Sequence, residues 1–280
     1  MTKELSKIAA IQMASGPQLK ANLMAATKLI KEAAQKGAQM VVLPENFALM
    51  PMQETENCDI AEVLGSGLIQ DTLAESAVKN NVWLVAGSLP LKTDSKKVTA
   101  SSLMFNDSGK RVARYDKIHL FDVSFDCGKD CKQGSNTETY HESAIFAPGT
   151  QIKVVETPFG KIGMSICYDL RFPILYRKMV SAGAEILLVP SAFTAITGKD
   201  HWEPLLRARA IENQCYVIAP AQGGYHVNGR NTYGHSMVID FWGRPHAILE
   251  KGAGSIMIAL DKKAQAATRK NFPVLEHRKF

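Results

Sequence analysis

The feature that most constrains this chain is a unit written twice. Gly37-Ala-Gln-Met-Val-Val-Leu-Pro44 and Gly183-Ala-Glu-Ile-Leu-Leu-Val-Pro190 share a leading glycine, an apolar run and a closing proline. Before the first lie residues 19–36, whose Leu19, Leu23, Ala26, Ile30 and Ala33 recur at the spacing of an amphipathic helix. Before the second, residues 174–181 also read as a helix. Glycine ends a helix by taking left-handed backbone, the apolar run is then a buried strand, and proline stops it. A further apolar strand precedes each helix, at 8–13 and at 162–167. Strand–helix–strand order requires parallel pairing. Two such units predict two sheets related by pseudo-symmetry.

The same reading predicts helices over 69–80, 201–213 and 262–269. It predicts strands over 82–88, 99–105, 112–115, 152–157, 186–189, 216–219, 235–240, 247–249 and 255–260. Residues 121–142 are polar without a repeating pattern and are expected to be the longest loop, a frequent place for function. No Pro/Ser/Gly-rich tract or charge block interrupts the chain, so residues 1–280 are expected to form a single domain.

Composition excludes several function classes. With 280 residues, 46% hydrophobic and 21% charged, the chain is an ordinary globular one. Its five cysteines are an odd, scattered set, which predicts no disulfide framework and a reducing, cytoplasmic setting. The net charge of +6 is spread out, without the clustered basic and aromatic residues of a nucleic-acid binder. The N-terminus reads as having no signal peptide, and no apolar run approaches the ~18 residues of a membrane span. Cys127 and Cys131 lack a second pair at ligand spacing, and H-E-x-x-H, Walker and G-x-G-x-x-G patterns are absent, so neither a metal nor a cofactor is expected.

Three places remain for chemistry. Cys167 leaves an apolar strand just before Tyr168-Asp169-Leu170-Arg171-Phe172-Pro173, and a thiol beside a helix N-terminus is placed to be ionised and exposed. A buried inert thiol is the alternative. Glu45 follows a buried strand and Pro44, as either a capping acid or a base with a pKa raised by burial. Lys117, in Tyr115-Asp-Lys117-Ile-His-Leu120, is either a solvated surface charge or a buried functional one. His119 reads as a structural, hydrogen-bonded histidine.

Taken together and in order, Pro44-Glu45, Tyr115 to Leu120 and Cys167-Tyr-Asp-Leu-Arg-Phe-Pro173 resemble the nitrilase superfamily of carbon–nitrogen hydrolases, in its Nit branch. The resemblance continues through Pro190-Ser-Ala-Phe193, Thr197-Gly198, His201-Trp202, 207–213, Tyr233-Gly-His-Ser-Met237 and Asp240-Phe-Trp-Gly243. It implies an α/β fold, a four-layer α-β-β-α sandwich, and a homodimer or larger homo-oligomer. It implies a Glu45–Lys117–Cys167 triad, with Glu142 in Tyr140-His-Glu142-Ser143 as the second glutamate. Lys117 and the Tyr168 backbone N–H would hold an oxyanion. Arg171 and Thr197 would bind the carboxylate of a small acidic amide, with deaminated glutathione favoured over an ω-amide such as 2-oxoglutaramate. A true nitrilase and a non-catalytic binding subunit are the rival readings. Asp126-Cys127-Gly-Lys-Asp-Cys131 departs from the family pattern, and a Cys127–Cys131 regulatory disulfide is one alternative for it.

Overall fold

The architecture comes from a computed structural model, which describes residues 5–126 and 137–279. The chain opens with β1 (Lys7–Gln12), α1 (Leu19–Gln35), β2 (Met40–Val42), a single-turn α2 (Glu56–Asp59) and α3 (Leu68–Asn80). Strands β3 (Trp83–Val85), β4 (Leu89–Lys92), β5 (Val98–Phe105) and β6 (Arg111–Asp116) complete this half. A hairpin of β7 (Asp122–Asp126) and β8 (Thr137–His141) follows. The second half runs β9 (Lys153–Thr157), β10 (Gly160–Met164), α4 (Pro173–Ser181), β11 (Ile186–Leu188), α5 (Ala195–Asn213) and β12 (Tyr216–Ala219). It ends with a small hairpin of β13 (Gly223–Tyr225) and β14 (Asn231–Tyr233), then β15 (Ser236–Ile239), β16 (Pro245–Leu249), β17 (Gly254–Ala259) and α6 (Lys262–Asn271).

The repeat seen in the sequence is a repeat of hydrogen bonds. At the end of α1 the Gly37 N–H donates to Ala34 O at 2.9 Å and the Ala38 N–H to Ala33 O at 3.1 Å. At the end of α4 the Gly183 N–H donates to Val180 O at 2.8 Å and the Ala184 N–H to Met179 O at 3.1 Å. Both are Schellman closures, and both glycines have positive φ, +91° and +95°. The chain then enters the sheet alike: Gln39 N–H donates to Lys7 O and Glu185 N–H to Lys161 O. The correspondence extends beyond the written motif. Asn81 and Gln214, both left-handed, close α3 and α5, and the Val82 and Cys215 N–H groups that follow donate to Ala77 O and Ala210 O.

Two sheets result. One has seven strands in the order β17-β1-β2-β3-β5-β4, with β6 on β5, and the other has six in the order β16-β15-β12-β11-β10-β9. β1, β2 and β3 are parallel, as are β10, β11 and β12. Alternation along β1 assigns the layers. Ala9 and Ile11 join Leu23, Ile30, Ile69 and Leu73 of α1 and α3 in one apolar cluster. Ile8 and Ala10 join the cluster that holds Ile162, Met164, Leu187 and Val217 of the second sheet. Helices α4 and α5 cover that sheet from outside, with Tyr176, Met179, Trp202 and Leu206 buried. The order helix, sheet, sheet, helix is the expected α-β-β-α sandwich.

Several expected boundaries move. The region 121–142, expected to be irregular, carries the β7–β8 hairpin, whose residues alternate half-buried and exposed. Its polar outward face hid a two-residue period. Cys127 and Cys131, with their possible disulfide, lie outside the described residues. Strand β10 stops at Met164, short of Cys167, because the chain turns into a 3-10 helix over Cys167–Arg171. Helix α5 begins at Ala195 rather than 201. Thr194 is its N-cap, its Oγ1 accepting from the Thr197 N–H, so Pro204 lies inside the helix instead of in its first turn.

Candidate active site

The ends of β2, β6, β10 and β11 converge, and this brings the sequence-predicted residues together. Glu45 follows β2 and Pro44. Its Oε2 accepts the Ala192 N–H at 2.7 Å, while the Gln222 amide donates to its backbone carbonyl at 3.0 Å. Gly87, at φ +63°, fits against the Pro44 carbonyl, where a Cβ would collide. Only glycine lets the chain leaving β3 pass this close, so the strand exit that carries Glu45 is fixed from behind.

Lys117 follows β6. Its Nζ donates to Glu45 Oε1 at 2.8 Å and to Glu142 Oε1 and Oε2, both at 2.9 Å. Glu142 is in turn held by the Phe121 N–H, 2.6 Å from its Oε2. Lys117 has 2% and Glu45 5% of its side chain exposed. Such burial is tolerated because the ammonium has its counter-charges in place.

Cys167 opens the 3-10 helix with φ +47°, a left-handed backbone uncommon for a side-chain-bearing residue. Its own N–H donates to Pro190 O at 2.9 Å. Two residues on, the buried Asp169 accepts from the Ile166 N–H (2.9 Å), the Tyr115 hydroxyl (2.7 Å) and the His119 N–H (3.1 Å), and pairs with His119 Nδ1 (2.7 Å). This one carboxylate therefore binds the turn that carries Cys167 to the segment that carries Lys117. Arg209 of α5 completes the support by donating from Nε and Nη2 to Leu170 O. His119 is hydrogen-bonded, as expected, and stacks on Phe172.

Electrostatics correct two expectations, an exposed ionised Cys167 and a Glu45 with a raised pKa. Cys167 is buried, 7% exposed, and its pKa lies well above the ordinary thiol value. Burial is the main cause and the Glu45 carboxylate the next, with Lys117 opposing. Glu45 itself is held below the usual carboxylate range: burial pushes it up, but the Lys117 charge and hydrogen bonds from Lys117 and Cys167 outweigh that. Lys117 is raised well above an ordinary lysine against the burial that favours neutrality, because Glu142 and Glu45 hold its proton. Glu142 is raised, chiefly by burial, with Lys117 pulling the other way. These shifts describe a neutral thiol beside an ionised carboxylate, not an exposed thiolate.

These groups open on a cavity of about 350 Å³. Arg171 and Thr197 line it. The Arg171 guanidinium stands over Phe193 (5.0 Å) and Tyr168 (5.8 Å), with Nη1 3.2 Å from His201 Nδ1. Thr197 shares a 2.8 Å hydrogen bond with Thr194. Sequence reasoning missed Arg230, which also lines the cavity. It lies between β13 and β14 in a turn that carries no motif. It also assigned no role to Asp169, although the residue lies inside the quoted Cys167–Pro173 motif. Among the described residues no His, Cys, Asp or Glu group is arranged to hold a metal ion, and no helix is long and apolar enough to cross a membrane.

Residues 7–270 match the carbon–nitrogen hydrolase family. The deaminated glutathione amidase of Yersinia enterocolitica is 39% identical over 98% of this chain and 93% of its own. The human protein of the same name is 38% identical over 99% of this chain and 83% of its own. The crystal structure of Saccharomyces cerevisiae Nit3, a member of branch 10 of the nitrilase superfamily, superposes with a TM-score of 0.86 at 30% identity, covering 99% of this chain and 98% of that one. The NitFhit protein of Caenorhabditis elegans gives 0.89 at 39% identity, covering 100% of this chain and 66% of that one. With fold, sequence and the buried glutamate–lysine–cysteine geometry in agreement, this chain belongs to the carbon–nitrogen hydrolases of the nitrilase superfamily.

Proposed function

We propose that the chain hydrolyses the amide of deaminated glutathione, releasing 2-oxoglutarate and cysteinylglycine, through a thioester on Cys167. The observation that carries this reading is the buried Lys117, bonded to Glu45 on one side and Glu142 on the other, with Cys167 beside Glu45 on the same cavity wall. The name shared by relatives at similar identity in bacteria and mammals supports the substrate.

As Cys167 Sγ bonds to the amide carbon, its proton passes to Glu45 and the carbonyl electron pair moves onto oxygen. Lys117 Nζ and the Tyr168 N–H stabilise that oxyanion; Tyr168 lies in the first turn of its helix, where N–H groups lack intrahelical acceptors. Collapse breaks the C–N bond, and the departing amine takes the proton from Glu45. Water then gives a proton to Glu45 and attacks the thioester, and the second collapse returns the proton to the thiolate. Glu142 has a distinct part. While Glu45 is protonated Lys117 loses one counter-charge, and Glu142 keeps it an ammonium.

Arg171 takes the 2-oxo-carboxylate as a charge-assisted pair, and Thr197 adds a hydroxyl contact at the same end. A homo-oligomer in a reducing cytoplasm completes the reading, and light scattering of the purified protein tests the assembly. The direct test is turnover: 2-oxoglutarate released from deaminated glutathione by the wild type and not by Cys167→Ala. Faster release of ammonia from 2-oxoglutaramate would favour the ω-amidase alternative.

A further inference from the structure

The cavity wall holds a row of rings with a cation at each end. Arg230 stands 5.0 Å over the Tyr140 ring. Tyr140 lies 5.0 Å from Phe121, Phe121 lies 5.0 Å from Tyr168, and Arg171 stands 5.8 Å over Tyr168. The two guanidiniums come from different elements and pack on different partners, Arg171 on Phe193 and Arg230 beside Met50.

Arg230 is unusual in its surroundings. It is charged and only partly exposed, and its Nε is buried with no hydrogen-bond partner. Its Nη1 lies 3.9 Å from the weak acceptor Met50 Sδ, and the guanidinium also interacts with Tyr140. Glu54 and Glu45 are near enough to favour its charge, but among the described residues no carboxylate pairs with it. A buried guanidinium nitrogen that lacks an acceptor is costly, and the cost is removed when an anion arrives.

We propose that Arg230 is a specificity residue that binds a second carboxylate, on the leaving-group side of the scissile amide. The substrate is then an extended dianion, gripped at its acyl end by Arg171 and at its amine end by Arg230, with the three rings lining its path. This inference rests on the reading of the site proposed above. It separates a substrate with an acidic leaving group from one that releases ammonia, since only the first reaches Arg230.

The test is a residue–substrate cycle. Deaminated glutathione and its C-terminal carboxamide, which lacks only the distal charge, are compared on the wild type, Arg230→Met and Arg230→Lys. The wild type is expected to prefer the carboxylate by about 10–100-fold in kcat/KM, the worth of one charged hydrogen-bonded pair. Arg230→Met is expected to abolish that preference, mainly through KM, and Arg230→Lys to restore part of it. The ratio is independent of how much variant is folded, because both substrates meet the same active fraction. A preference unchanged in Arg230→Met overturns the proposal. So does equal loss on both substrates in both variants, which would make Arg230 a framework residue. Absence of wild-type turnover on either substrate would instead refute the assigned substrate, and this inference with it.

Discussion

Lys117 Nζ lies 2.8 Å from Glu45 Oε1, and both groups are almost wholly withdrawn from water. That contact makes the site workable. In the proposed mechanism it keeps Glu45 an anion able to take a proton from a thiol that is itself not ionised, and it keeps a cation where the oxyanion would form.

Removing the cation should therefore cost stability as well as rate. Lys117→Met leaves Glu45 and Glu142 buried side by side, and loss of one partner of a buried pair typically costs about 3–5 kcal/mol. Without Lys117 both folded-state carboxyl pKa values should rise above their unfolded values. The variant would then be most stable below the unfolded carboxyl pKa and weaken as pH climbs toward the raised folded values. Denaturant melts at pH 5 and pH 8 check this; a variant equally stable at both would contradict the buried pair.

The thiol should react as a protonated one. Because burial and Glu45 raise the Cys167 pKa, alkylation of the free enzyme by iodoacetamide should be slow at neutral pH and still climbing above pH 9. Hydrolysis, which in the proposed mechanism uses ionised Glu45, should fall only at a pH below the ordinary carboxylate range. An alkylation inflection below pH 7 would instead indicate a preformed thiolate.

Asp169→Asn should uncouple two parts of the site without touching substrate. The carboxylate accepts from Tyr115, Ile166 and the His119 backbone, and an amide would turn an NH₂ toward one of these donors. A stability loss of about 3 kcal/mol and a fall in kcat of about 100-fold with little change in KM are expected. A KM effect alone would place Asp169 in substrate binding.

The central geometry was legible because it is local. Each of Glu45, Lys117 and Cys167 lies one to three residues past a strand end, inside a short motif, and Asp169 was in view within the third. The doubled unit at 37–44 and 183–190 also carried the sheet topology, since a Schellman glycine and a buried run impose the same hydrogen bonds twice. What escaped depends on distant contacts. Arg230 owes its role to Tyr140 and Met50, remote in sequence. The left-handed backbone of Cys167 and its burial follow from the Pro190 carbonyl and the Asp169 carboxylate, neither visible as a pattern. The β7–β8 hairpin was hidden because its outward face is wholly polar and its half-buried face, Val123, Phe125, Glu138 and Tyr140, is split between two short strands.

Arg171→Ala should raise KM for a 2-oxo-carboxylate substrate about 10–100-fold, the loss of one charged pair. Cys167 should alkylate at the wild-type rate, since Arg171 packs on Tyr168 and Phe193 rather than on the thiol. Slower alkylation would show that the turn had moved.

The most direct test of the account is an acid quench of the wild-type enzyme during steady-state turnover of deaminated glutathione, followed by mass analysis of the peptide carrying Cys167. The account predicts a 2-oxoglutaryl thioester on Cys167, absent from Cys167→Ala. Undiminished turnover by Cys167→Ala, with the wild-type Cys167 peptide unmodified, would contradict it.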